Sequence, residues 1–296
     1  MAHCALTPVR VGVSVGRSAL AACTALKSRE QNLARPIITL TTDYGTNDHL
    51  VGVLKGVILD INPEVNIVDI THSVLAHDIL DGALTISQAY KYFPSKTIHV
   101  VVVDPGVGTT RRPILVAGDT HYFVAPDNGV LSAIYDQSES LYVWNVLSEH
   151  YFRQPVSNTF HGRDIFAPVA AWLSKSWATA SFGEEITDFV RFAIPKPKTA
   201  GNAVKGIVLR TDNFGNLITN LRAEDVPALV APDAKFTIRV GNATVKKIIP
   251  TFAQGTAAEP FAIIGSSGYI EICVNKGNAA KTIGAGRGAE VTVELG

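Results

Sequence analysis

Three side chains capable of proton and charge chemistry lie in loops built from small residues. Asp104 and Arg111 stand seven residues apart in Val-Val-Val-Asp-Pro-Gly-Val-Gly-Thr-Thr-Arg-Arg (residues 101–112), and His161 sits in Asn-Thr-Phe-His-Gly-Arg-Asp (residues 158–164). An aspartate, an arginine and a histidine gathered around one water can orient it and stabilise hydroxide-like charge. Arginine supplies a fixed positive charge, and histidine can accept or position a proton near neutral pH. Each residue also has a plainer reading: a turn-capping aspartate, an arginine in solvent, and a histidine at a helix start bonded to backbone. Asp43 ends an apolar run, where a carboxylate suits the paired hydroxyls of a ribose, or simply caps a turn. Asp212-Asn213-Phe214-Gly215-Asn216 offers Phe214 to stack on a base and Asn216 to meet its edge, against the alternative of a hairpin turn with Phe214 buried. Gly265-Ser266-Ser267-Gly268-Tyr269 is only loosely like a phosphate-cradling loop. Asp43, His72, Asp78, Asp104 and His161 show no metal-ligand spacing, so no metal is expected.

The elements that must hold these groups alternate. Residues 36–42 form a strand, His49–Asn62 a helix with Leu50, Leu54, Val57 and Ile61 on one face, and Val65–Ile70 a second strand. A helix from Asp78 to Tyr92 follows, then a continuous β-branched run to Val103 that suits a strand buried on both faces. Strand–helix–strand–helix–strand predicts an α/β domain with a mainly parallel sheet, and loops after parallel strands gather at one sheet edge. Asp104, Arg111 and His161 are therefore expected to converge. Ile114–Ala117 and His121–Ala125 form a hairpin around Gly118-Asp119. A short helix near Val130–Tyr135, a strand at Leu141–Asn145 and a helix from about Ile165 to Ser174 complete residues 36–194. Pro and Gly content marks residues 195–204 as a linker. Residues 205–296 carry short alternating segments separated by Gly, Asn and Asp, which predicts a smaller all-β, barrel-like domain.

Composition narrows the function classes. With 296 residues, 47% hydrophobic and 18% charged, the chain can bury a substantial core. A net charge of +0 gives no basic field for nucleic acid or a membrane surface. Cys4, Cys23 and Cys273 have no metal spacing and require no oxidising compartment, and no apolar run reaches membrane-spanning length. Residues 1–35 carry Arg10, Arg17, Lys27 and Arg29 with no acid before Glu30, the composition of a targeting-like or disordered extension. Leu20-Ala21-Ala22-Cys23 is like a lipoprotein cleavage site, yet Arg17 interrupts the apolar stretch before it. A cytoplasmic location is expected, with export the alternative if residues 1–35 act as a signal.

Seven segments, TTDYGTND, DITHSV, VDPGVGTTRR, APDNGVL, TFHGRDIFAP, FGNLITN and GSSGYIEI, resemble in order and spacing the S-adenosyl-L-methionine (SAM) hydroxide adenosyltransferases, the adenosine-forming SAM hydrolases. These are relatives of the SAM-dependent fluorinase and chlorinase. The resemblance spans residues 36–296. It implies an α/β N-terminal domain, a β-barrel C-terminal domain and a homotrimer whose sites lie between the first domain of one subunit and the second domain of its neighbour. It implies hydrolysis of SAM to adenosine and L-methionine by an activated water attacking the ribose C5′, with SAM as substrate and no cofactor. By motif, the water-activating trio falls on Asp104, Arg111 and His161. The resemblance places Asp43 on the ribose hydroxyls, Phe214 and Asn216 near adenine, and Asp212 with Ser266 near the methionine end; Glu271 and the backbone of Val274 complete that pocket. Halogenases of the family carry small hydroxyl groups in the halide pocket and an insertion before the strand at His121–Ala125. Asp104, Val107, His161-Gly162 and the short Arg111–Tyr122 segment instead match the hydrolases. The competing readings are a SAM- or adenosine-binding sensor without turnover, a halogenase, and a metal-dependent phosphoesterase.

Overall fold

Strand β3 (Ile98–Val102) is buried along its whole length and sits between two parallel neighbours, β1 (Ile37–Thr42) and β5 (His121–Pro126). The computed structural model describes residues 35–231 and 235–296. The β-branched run supplies both faces of the sheet: Val100 and Val102 join one core, Val101 and Val103 the other. On the first face lie α1 (Leu50–Ile61), through Leu54 and Ile58, and α4 (Ala167–Leu173). On the second lie α2 (Ile79–Ala89), through Ile86, and α3 (Ser132–Tyr135), through Ile134. Asp78 caps α2 by accepting from the Asp81 N–H at 3.0 Å, and the helix tightens into a 3₁₀ turn at Tyr90–Tyr92 where the sequence pattern predicts it to continue.

The first sheet runs β2-β1-β3-β5-β4-β6-β7, with β2 (Asn66–Thr71), β4 (Pro113–Gly118), β6 (Leu141–Val146) and β7 (Gly183–Glu185). Strands β2, β1, β3 and β5 are parallel, while β4, β6 and β7 continue the sheet through antiparallel pairings. The antiparallel half follows from the hairpin at Gly118-Asp119, whose connection is too short for a crossover.

The second sheet is antiparallel, in the order β12-β11-β15-β9-β10-β14-β13. Its strands are β8 (Lys198–Ala200), β9 (Ala203–Thr211), β10 (Leu217–Arg222), β11 (Phe236–Val240), β12 (Ala243–Val245), β13 (Pro260–Ile264), β14 (Tyr269–Val274) and β15 (Glu290–Leu295). The two ends approach one another: Ala262 on β13 bonds the backbone of Lys247 and Ile249, just beyond β12, so the sheet nearly closes into a barrel. Val208, Leu217, Ile238, Ile272 and Val291 fill it. Strand β8 lies inside the stretch whose composition predicts a linker and pairs with β9 across Gly201-Asn202. The barrel docks on α2. Arg210 donates to Thr85 Oγ1 at 3.0 Å and lies 3.4 Å from Asp81, and Arg287 pairs with the capping carboxylate of Asp78.

Cys273 is buried and has no disulfide partner among the described residues, and burial pushes its thiol pKa up. Among the described residues no helix is long and apolar enough to cross a membrane. The expectations for the extension, with Cys4 and Cys23, lie outside the described residues up to residue 34.

One glycine fixes how the two chemistry-bearing loops meet. Gly108 adopts φ +79°, and a Cβ there would run into the Asn158 carbonyl oxygen, so the 104–112 loop rests directly on the backbone of the 158–164 loop. Gly108→Ala is expected to destabilise the protein by about 1–3 kcal/mol, read as a lower urea midpoint at unchanged m-value.

Candidate active site

Asp43 and Asp104 follow the C-terminal ends of the adjacent parallel strands β1 and β3, the sheet edge at which ligands bind in α/β folds. His161 arrives from elsewhere. The sequence pattern predicts a polar loop to Asp164 and a helix from about Ile165, but the chain winds from Gly162 to Phe166 as a π-turn before α4. Pro168 has no N–H to offer the Asp164 carbonyl one turn back, and that carbonyl accepts from the Arg153 N–H at 2.8 Å. The Asp164 carboxylate, fully buried, accepts from the Arg163 guanidinium at 2.7 and 2.8 Å and from the Ser157 N–H at 2.9 Å.

Arg111 binds the two other members of the trio. Its Nε donates to Asp104 Oδ1 at 2.9 Å and its Nη2 to Oδ2 at 2.5 Å, while the second Nη2 proton reaches His161 Nδ1 at 2.6 Å. The Arg111 and Asp104 side chains are only 8% and 6% exposed, which rules out a solvent arginine beside a turn cap. The guanidinium carbon lies 5.2 Å from the Phe166 ring centroid. A guanidinium can only donate, so Nδ1 of His161 is the acceptor and the neutral ring carries its proton on Nε2. Burial, then the Arg111 charge, holds the His161 pKa below 6.5 against the opposing pull of Asp104 and Asp164. Arg111 Nη1 is buried and has no hydrogen-bond partner among the described residues.

Asp43 neighbours this cluster. Its Oδ2 accepts from the His77 N–H at 2.9 Å, tying down a residue at φ +64°, so one oxygen anchors a loop and Oδ1 makes no protein hydrogen bond among the described residues. Tyr44 was not foreseen. Burial, then the charges of Asp43 and Asp104, push its phenol pKa up, with Arg111 opposing. The signal for it was an aromatic immediately after a strand-end aspartate in Asp43-Tyr44-Gly45; Phe166 and the Asn158 carbonyl had no comparable mark.

The remaining predicted residues gather on the barrel. Asp212 Oδ1 accepts from the Phe214 and Asn216 N–H groups at 2.9 and 2.8 Å, and Oδ2 from Asn216 Nδ2 at 2.9 Å. Gly215, at φ +87°, lies against the Asn278 side chain. Asn216 is buried, but Phe214 is 75% exposed, which corrects the buried-Phe alternative: the carboxylate-bound turn drives the ring outward. Glu271 on β14 packs against Gly265, and burial, then Asp212, pushes its pKa up. Ser266 is exposed in the turn closed by Gly265 N–H to the Tyr269 carbonyl at 2.8 Å, and Val274 ends β14 with its side chain buried. Among the described residues of one chain, no hydrogen bond or ion pair joins this cluster to the Asp104–Arg111–His161 trio. His72 bonds Thr42 at 2.8 Å and Asp78 serves the α2 cap, and no group of three His, Cys, Asp or Glu among the described residues is placed to hold a metal ion.

Residues 38–183 match the family model of the SAM hydroxide adenosyltransferase N-terminal domain, and residues 206–292 that of its C-terminal domain. The chain belongs to the SAM hydroxide adenosyltransferase family. Relatives within this family include the (R)-S-adenosyl-L-methionine hydrolase of Salinispora tropica, 33% identical over 88% of this chain and 98% of that protein, and that of Methanocaldococcus jannaschii, 34% identical over 83% and 91%. The fluorinase of an Actinoplanes species is 28% identical over 87% and 97%. The crystal structure of an uncharacterized conserved protein from Thermotoga maritima superposes with a TM-score of 0.81 at 34% identity, over 86% of this chain and 99% of that one.

The trio of this hydroxide adenosyltransferase makes a spectroscopic prediction. The His161 ring protons should titrate below pH 6.5 by NMR, and Arg111→Gln should move the midpoint upward, because Asp104 and Asp164 remain to favour the imidazolium. Since the folded pKa is depressed, the stability linked to neutral His161 is complete above pH 6.5 and is lost as pH falls through the folded value. A midpoint unmoved by the Arg111 variant would overturn this electrostatic assignment.

Proposed function

We propose that this chain hydrolyses S-adenosyl-L-methionine to adenosine and L-methionine, with Asp104, Arg111 and His161 acting on the attacking water. The observation that carries this reading is the single Arg111 guanidinium donating to both Asp104 and His161 inside a buried cluster at the sheet edge. The full-length match to relatives named SAM hydrolases supplies the substrate. As the water oxygen bonds to C5′, the C5′–S bond breaks and its electron pair returns to sulfur, giving the neutral thioether of methionine. The sulfonium needs no acid to leave, so no metal or other cofactor is needed at the leaving group. What the site must supply is alignment, which contributes on the order of 7–11 kcal/mol in well-oriented reactions. Arg111 favours hydroxide-like charge, and its unpaired Nη1 is the donor left for it. With Nδ1 occupied, His161 orients through Nε2–H, and the Asp104 carboxylate is the anionic acceptor for the proton the water gives up.

Asp43 binds the ribose hydroxyls in this reading, Phe214 and Asn216 the adenine, and Asp212, Ser266, Glu271 and the backbone of Val274 the methionine end. The separation of the two clusters within one chain, and the 75% exposure of Phe214, support completion of each site by the barrel of a neighbouring copy, in the homotrimer that the family resemblance implies. The fluorinase relatives share the scaffold, but the Asp104 carboxylate would repel a halide in a low-dielectric pocket.

The test is incubation of the purified protein with SAM in EDTA, with and without chloride, followed by chromatography. Adenosine and methionine are expected in equal amounts, unchanged by chloride; SAM retained without turnover would overturn the hydrolytic reading in favour of a sensor. Asp104→Ala, Arg111→Ala and His161→Ala should each lose about 10²–10⁴-fold in turnover while still binding SAM. Asp104→Ala and Asp212→Ala chains, each inactive alone, should regain activity when unfolded and refolded together, because mixed trimers contain sites with both residues intact; no recovery would sink the shared-site assembly.

A further inference from the structure

The Tyr44 hydroxyl occupies a place beside the trio that neither its sequence motif nor the family match accounts for. A Cβ built on Gly162 would lie 2.5 Å from Tyr44 Oη and 3.4 Å from Cζ. The hydroxyl therefore fills the volume that any side chain at position 162 would need, one residue from His161. Its ring is held edge-on against Phe160, with centroids 5.9 Å apart and planes at 67°. Arg163 covers the Phe160 ring at 5.3 Å and is itself tied to the buried Asp164, so the wall behind Tyr44 is rigid. Oη makes no hydrogen bond to protein among the described residues and, on a partly buried residue, is not one of the enclosed unpartnered atoms, so it is open to a water. Asp43, Asp104 and Arg111 are all within electrostatic reach of it.

We propose that the Tyr44 hydroxyl, seated in the notch that the missing side chain of Gly162 leaves for it, is a further water-holding group of the site and bonds the attacking water. The inference rests on the hydrolytic reading above. The surroundings keep the phenol protonated, so it offers the water one donor and one acceptor throughout the working pH range. An acceptor there takes the water proton that does not leave, and this fixes the direction of the oxygen lone pair. Tyr44 and Gly162 are thereby one unit: a side chain at 162 evicts the hydroxyl, and removing the hydroxyl makes room for a side chain.

Initial rates of adenosine release from SAM by the full-length protein test this. Tyr44→Phe keeps the ring and its contact with Phe160. It should lower kcat about tenfold, the worth of one neutral hydrogen bond, with KM for SAM within about twofold. Gly162→Ala should also lower kcat, and by less in the Tyr44→Phe background than alone, because the 2.5 Å contact is then gone. A Tyr44→Phe enzyme with unchanged kcat, or equal costs of Gly162→Ala in both backgrounds, would overturn the assignment while leaving hydrolysis established. If Gly162→Ala fails to fold, the Tyr44→Phe split between kcat and KM decides alone. A wild-type protein that forms no adenosine would remove the hydrolytic reading itself and this inference with it.

Discussion

The site depends on one guanidinium shared between a carboxylate and an imidazole. Withdrawing Asp104 and Arg111 from water is costly unless each finds the other in good geometry, and the bidentate pairing at 2.9 and 2.5 Å meets that condition. The third bond, to His161 Nδ1, extends the pair into a network and selects the ring tautomer. Everything around it serves to bring two distant loops within reach of that cation. The buried central strand delivers Asp104, Gly108 lets the following loop lie on the Asn158 carbonyl, and the π-turn brings His161 to Nη2. An unfilled position in a buried network of this kind is costly, which is why Nη1, without a partner among the described residues, is informative.

The barrel contributes a second set of groups with its own internal logic. Asp212 organises its turn by taking three hydrogen bonds from the residues just after it, leaving Phe214 outside and Asn216 inside. That division suits recognition: an exposed apolar ring and, behind it, a polar amide held in one orientation. The Glu271 carboxylate, pressed against Gly265 and near Asp212, is shifted toward its neutral form at the same end of the barrel.

Much of the first sheet was legible because its strands obey local rules. The β-branched run before Asp104 can only be a strand with both faces covered, and Val100 and Val101 do enter opposite cores. The Gly118-Asp119 hairpin and the start of a helix at Asp78 are likewise written in neighbouring residues. Strand β8 was missed although Gly201-Asn202 is a two-residue hairpin signal, because the surrounding prolines and lysines carry the composition of a linker. The π-turn was beyond local reading, since it depends on a carbonyl diverted to Arg153 as well as on Pro168. At the site, residue types and loop positions pointed to Asp104, Arg111 and His161, but not to which nitrogen of His161 is engaged. For Tyr44 the sequence shows an aromatic beside a strand-end aspartate but not its place in the site, which is defined by the absence of a side chain at Gly162, on a different loop.

The contact between Arg287 and Asp78 has a mechanical meaning. Asp78 starts α2, the preceding residue is His77, and the His77 N–H holds Asp43. An ion pair, one peptide link and a hydrogen bond thus join the barrel to the carboxylate at the end of β1. The seat of the barrel on α2 and the aim of that carboxylate are therefore coupled: the second domain helps to set the position of a first-domain side chain that it does not itself touch.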